Sequence, residues 1–176
     1  MRKTFLMSLL VLACSICSAG NVNPLYGIGY RSNVEFNAGS TFGGKNSIGR
    51  EFNGALTTSH GYSNGKGFYA GIGTGIVFTP NNYAVFSIPV FADLKYSFRD
   101  DAVAPFLSLK AGTEINTDNG SAGLSIAPSV GLDLKRFSVF LKYDFGTGKL
   151  SYFSSNSFIE KNYNKHALSV GASYWF

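Results

Sequence analysis

The sequence predicts an all-β chain, eight antiparallel strands closed up-and-down into a transmembrane β-barrel. Three observations carry that prediction. Eight segments alternate apolar and polar residues, and turn-forming clusters separate them. Apolar residues fill one face of nearly every segment, while the other face carries acidic and basic groups in equal number. Glycine occurs 21 times and aromatics make up 15% of the chain, as many short strands and turns require. No apolar run beyond the N-terminus is long enough for a membrane helix.

The first nineteen residues read as an address. Arg2 and Lys3 precede the apolar run TFLMSLLVLA, and Cys17 and Ala19 put small residues where a signal peptidase cuts. Residues 1–19 are thus expected to be a secretory signal peptide and residues 20–176 the barrel domain. Cys14 and Cys17 are the two cysteines, so cleavage removes every thiol, and with them disulfides and thiolate metal sites. Acylation at Cys14 is the rival, weakened by bulky Leu12 in VLAC and by the shortness of the apolar run. Loss of Arg2 and Lys3 takes the net charge from +5 to +3, which is no nucleic-acid signature.

Taken in order, the strands are expected at 25–37, 48–60, 67–78, 84–98, 105–115, 123–135, 137–147 and 165–176. The first puts Arg31 and Glu35 on its polar file. The second carries Glu51 there but is ragged, with Arg50, Thr58 and His60 on the would-be apolar face. The third aligns Gly71, Gly73 and Gly75 on one face, where they make room beside larger side chains. In the fourth, Ala84, Phe86, Ile88, Val90, Ala92, Leu94, Tyr96 and Phe98 oppose a file that includes Pro89, Phe91, Asp93 and Lys95.

The fifth contributes Lys110 and Glu114, the sixth Asp133 and Lys135, the seventh Lys142 and Asp144, and the eighth Lys165. Pro89 and Pro128 fall within strands, so a bulge is expected at each. The eighth strand ends on the final residue, with Tyr174 and Phe176 on its apolar file and Trp175 on the other.

Alternation alone leaves open which face points inward. A soluble lipocalin-like barrel would have to pack roughly forty apolar side chains into the narrow interior of eight strands. With the apolar face outward, lipid meets it, and closure satisfies the backbone that lipid cannot. Arg31, Lys95, Lys110, Lys135, Lys142 and Lys165 then share the lumen with Glu35, Glu51, Asp93, Glu114, Asp133 and Asp144 as an ion-pair network. A secreted β-sandwich is the bland alternative.

With an even strand count and both termini in the periplasm, turns at 61–66, 99–104 and 135–136 lie on that side. Loops at 38–47, 79–83, 116–122 and 148–164 lie outside. Tyr26, Phe68, Phe98, Phe137 and Phe176 are placed at the periplasmic girdle, and Phe36, Phe78, Phe86 and Phe145 at the outer one.

The stretches IPVFADLKYSF (88–98), PFLSLKAG (105–112), APSVGLDL (127–134) and HALSVGASYWF (166–176) resemble the small outer-membrane β-barrel proteins of Bacteroidota. These are relatives in architecture of the OmpA/OmpX-type barrels. The resemblance implies residence in the cell outer membrane of a Gram-negative bacterium, contact with its lipid and lipopolysaccharide, and assembly by the barrel insertion machinery. That machinery reads a C-terminal strand ending in Phe, here Tyr174 and Phe176. A monomer without cofactor or metal is expected.

Catalytic readings are poor. GYSNGKG misses a phosphate loop, since His60 and Gly67 stand at two of its fixed positions. His166 and Ser169 fall on opposite faces, which spoils a base–nucleophile pair. Lys45, Arg50, Lys149, Lys161 and Lys165 outnumber Asp118 and Glu160 at the outer rim, so lipopolysaccharide phosphates could meet them. The expected role is structural or surface-interacting, with a small passive pore as the alternative and a lipid A-modifying enzyme behind it.

Overall fold

The computed structural model describes residues 23–42, 51–80, 85–117, 120–154 and 157–176. The expected signal peptide, its cleavage site and Cys14 lie outside them. Eight strands follow one another: β1 (Ile28–Thr41), β2 (Phe52–Asn64), β3 (Phe68–Thr79), β4 (Val85–Ser97), β5 (Val103–Asn116), β6 (Ala122–Leu134), β7 (Phe137–Ser154) and β8 (Ser157–Trp175). Each pairs antiparallel with the next, and β8 closes on β1. The start of β1 and the end of β8 share one end with the tight β2–β3, β4–β5 and β6–β7 turns.

Followed once around, the register runs Gly29, Ser63, Tyr69, Lys95, Ser108, Ser129, Lys142, Ser169 and back to Gly39. The offset from 29 to 39 is a shear of ten residues. With eight strands this tilts the wall and leaves an interior that side chains can fill.

Period two decides what faces where. Ile28, Tyr30 and Phe36 on β1 are exposed, while Asn33, Glu35 and Asn37 between them are buried. The same alternation holds on every wall, so Leu94, Leu107, Val130, Leu141 and Val170 point outward. A fold that buries Glu, Asp and Lys while exposing Leu, Ile and Phe is inverted relative to a soluble protein. It is stable where hydrocarbon, not water, is outside.

Several boundaries differ from expectation. Residues 24–26 are not strand but a one-turn 3-10 helix, with Pro24 at its first position and Asn23 capping it. β2 lies four residues further along than predicted, because its turn is closed by Gly65 and Gly67 at positive φ rather than by the residues before them. The predicted outer loop 148–164 is mostly ladder: β7 and β8 stay paired up to Ser154↔Ser157. Lys149, Lys161 and Glu160 therefore belong to a projecting hairpin, and their side chains lie outside the described ones, as do Lys45, Arg50 and Asp118 altogether.

The expected bulges are absent. Around Pro128 the β6–β7 register passes from Ile126↔Phe145 to Ser129↔Lys142, three residues on each strand, so two pairs are skipped and nothing is inserted. Around Pro89 the β3–β4 ladder likewise passes from Thr74↔Val90 to Val77↔Ser87. Proline has no N–H to donate, and each seam loses its local bonds without shifting register.

Candidate functional site: the barrel lumen

Among the described residues, lumen side chains interlock in layers from one end of the barrel toward the other. At the end where β1 starts and β8 finishes, the turn at Pro24–Tyr26 folds inward. Leu25 inserts its side chain and is 1% exposed, against Tyr69 and Trp175, whose rings meet edge-on at 4.9 Å. Ser63 Oγ and the Gly67 N–H donate to the Leu25 carbonyl at 2.6 and 3.1 Å. Asn23 Nδ2 donates to Ser97 Oγ at 2.9 Å and reaches Asp133 Oδ2 at 3.4 Å. Burial raises the Tyr26 phenol above its ordinary value, with Tyr96, Asp100 and Asp101 adding to the shift. The phenol stays protonated and donates to the Ser97 carbonyl at 3.1 Å.

Directly above, Lys95 Nζ donates to Asp133 Oδ1 at 2.5 Å and to Ser138 Oγ at 3.0 Å. Ser138 donates to the same carboxylate at 2.6 Å, and Trp175 Nε1 donates to Ser138 at 3.2 Å. The ammonium also sits 3.8 Å from the Phe106 ring centroid, an attraction that strengthens as water is excluded.

In the middle, Asn33 Nδ2 donates to Ser59 Oγ at 2.9 Å, and Ser59 donates to Asp93 Oδ2 at 2.7 Å. Since the Ser59 proton is used on Asp93, the Tyr69 hydroxyl 2.9 Å away is the donor of that pair. Small residues make the space: a Cβ on Gly73 would run into the Phe91 ring, and one on Gly171 into the Phe140 ring. The glycine-lined face of β3 is thus a packing device, as its sequence suggests.

Toward the far end, Glu35 takes Lys110 at 2.5 Å and Lys142 at 3.8 Å on its two oxygens, with Asn37 Nδ2 at 3.2 Å. Lys142 also reaches Asp144 at 3.5 Å, and Lys165 reaches Glu114 at 3.6 Å. The cavities left here are pockets of about 30, 40 and 50 Å³, room for a water or two each.

No protein-family model and no curated protein matches the chain. Solved structures do. The outer membrane enzyme PagL is 14% identical over 79% of this chain and 97% of its own, with a TM-score of 0.53. The outer membrane protein OprG from Pseudomonas aeruginosa is 12% identical over 84% and 95%, with a TM-score of 0.53. At such identities the likeness speaks of fold, and it joins the apolar exterior already described. The protein is a transmembrane β-barrel of the cell outer-membrane type.

Of the twelve charges expected in the barrel's network, Glu35, Lys95, Lys110, Glu114, Asp133, Lys142, Asp144 and Lys165 are ion-paired inside it. Asp93 is inside but held by a hydroxyl. Two others lie elsewhere. Lys135 is exposed in the β6–β7 turn at φ +60°, because the strand ends one residue earlier than its alternation suggests. Arg31 bends toward the mouth, donating to the Pro24 and Tyr30 carbonyls at 2.7 and 2.9 Å. Glu51 precedes β2, and its backbone pairs with Thr41.

His60 and His166 both face outward. His166 pairs with the Tyr143 hydroxyl at 2.6 Å, while Ser169 is buried in the lumen, so parity kept them apart as expected. The inward Leu25 turn was missed by sequence reasoning. Its signal was Asn-Pro at Asn23–Pro24, a helix-start pair that the β alternation around it overrode. Truncating Leu25 to Ala should lower stability by about 2–5 kcal/mol, read as a lower denaturant midpoint at unchanged slope.

Proposed function

We propose that the protein is an integral outer-membrane barrel with a sealed lumen, serving a structural or surface-interaction role rather than transport or group transfer. The observation that carries this reading is the double closure of the interior. The Leu25 turn seats on Tyr69 and Trp175 at one end, and the Glu35–Lys110–Lys142 cluster occupies the lumen toward the other. Charges paired across the lumen obstruct a passing ion, and separating them would leave each buried and uncompensated.

PagL is described as an enzyme, which keeps a lipid-modifying reading in view. Against it, His166 has a phenol for a neighbour and His60 a phenol and a threonine. Neither lies beside a serine–carboxylate pair among the described residues. For partners, the reading keeps lipopolysaccharide at the rim and the insertion machinery at Tyr174 and Phe176, whose rings meet edge-on at 4.9 Å on the apolar exterior. Lys165 leaves the rim set, since it points inward to Glu114. The strand sequences quoted above support kinship with the small Bacteroidota barrels.

Purified protein in planar lipid bilayers tests the reading. No stable conductance is expected across a wide voltage range. Reproducible single-channel currents from the wild-type chain would replace the sealed barrel with the passive pore.

A further inference from the structure

The two halves of the lumen are built differently. Phe106, Phe140, Tyr69 and Trp175, all buried, fill the half nearest Leu25 with rings. The other half holds charged groups and the three small cavities. Taken from the mouth inward, these cavities share their walls: Glu114 borders all three, Lys165 the first two, and Lys142 and Asp144 the last two. They therefore form one file. It starts beside Asn116 and Ser121, where β5 turns to β6, and it ends against Glu35, Phe91 and Thr57.

The groups along the file call for water. Thr57 is 7% exposed and lines the innermost cavity, and its hydroxyl has no hydrogen-bond partner among the described residues. A buried hydroxyl left so is costly, and ordered water is its usual partner. The ion pairs along the file are loose. Lys142 stands 3.5 Å from Asp144 and 3.8 Å from Glu35, and Lys165 stands 3.6 Å from Glu114. A direct charge-assisted bond is about 2.7–2.9 Å long, and gaps beyond it are bridged by water. Where the file ends, Lys110 meets Glu35 at 2.5 Å, and in the ring-filled half Lys95 meets Asp133 at the same distance.

The charges on the file decide what fills it. Glu35, Glu114 and Asp144 stand against Lys110, Lys142 and Lys165, so neither a cation nor an anion gains by entering. Each cavity is too small for an organic solute. Water both donates and accepts, and so serves the ammonium groups, the carboxylates and the Thr57 hydroxyl alike. We propose that this half of the lumen is a blind, water-filled half-channel, open at the end opposite Leu25 and stopping at Thr57 and Glu35. The barrier to passage then lies in the ring-filled half alone. The proposal rests on the sealed reading for that inner half, and it adds that the outer half belongs to the external medium.

Thiol blocking by silver ion, small enough to follow water, tests it on the folded barrel in detergent micelles, where both ends meet solvent. Cys14 and Cys17 are replaced by Ser. Ser125→Cys and Thr57→Cys put a thiol on the file. Ser59→Cys, two places from Thr57 on the same face of β2, and Ser173→Cys, beside Ser138, put one in the ring-filled half. Each variant is first checked for the mobility of a folded barrel in unheated gels, and two positions on each side keep the comparison if one variant misfolds. Silver should block the first pair severalfold faster than the second. Entry from the Leu25 end would reach Ser59 and Ser173 before Thr57, and that order would overturn the proposal. Slow blocking at Thr57→Cys would overturn it too, while leaving the sealed barrel standing. Equal rates at all four positions would overturn both, since a through pore requires them.

Discussion

Glu35→Leu is expected to be among the most destabilising single substitutions in this barrel, by about 3–5 kcal/mol. Glu35 is buried and is the shared counter-ion of Lys110 and Lys142. Removing it leaves two ammonium groups in the lumen, of which Lys142 retains Asp144 at 3.5 Å and Lys110 loses its only ion pair among the described residues. The Phe91 ring, 4.9 Å from Lys110, offers a weak substitute. The measurement is the urea midpoint in lipid vesicles, followed by the gel shift between folded and heat-denatured protein. Pairing the change with Lys110→Met should recover much of the loss, since removing both partners of a buried pair avoids the stranded charge. No recovery in the double variant would mean that Glu35 acts through packing instead.

Trp175→Ala and deletion of Phe176 should separate stability from assembly. Trp175 is 3% exposed, caps Tyr69 and donates to Ser138, so its truncation empties the floor on which Leu25 rests. A loss of about 3–5 kcal/mol is expected in the refolded protein. Phe176 lies on the outward file against Tyr174, and its N–H donates to the Ser32 carbonyl. Deleting it removes one backbone bond and one lipid-facing ring, a small change in stability. The amount assembled in cells should nevertheless fall, on the proposal that the insertion machinery reads that end. Wild-type assembly of the deletion would leave the terminal aromatics as strand residues only.

The alternation of β4, β5, β6 and the halves of β7 and β8 nearest the end where β8 finishes was fully legible. Lys95, Lys110, Asp133, Lys142 and Asp144 sit inside because period two puts every second residue on one face, and the apolar partners between them could face only lipid. Parity also placed His166 outside and Ser169 inside. Position along the strand was less legible. Lys135 has the right parity but lies past the last ladder pair, and Arg31 has the right parity but reaches down to the mouth. The β7–β8 hairpin was read as a loop because its sequence, GKLSYFSSNSFIEKNYN, lacks clean alternation; pairing with a neighbouring strand continued it regardless.

The sequence by itself determined the strand count, the inverted faces and the end of the chain that carries the short turns. These depend on side-chain order along single strands and on turn chemistry, which are local. Only the tertiary structure decided which charges pair. Glu35 on β1 meets Lys110 on β5 across the lumen, and Lys95 on β4 meets Asp133 on β6, neither of them neighbours in the ladder. Such contacts are fixed by the shear of ten, which sets how high each strand stands against the one facing it. Nothing in a single strand encodes that height. The inward fold of Leu25 has the same cause: a residue just ahead of β1 finds its pocket on β3 and β8, which come together only when the barrel closes.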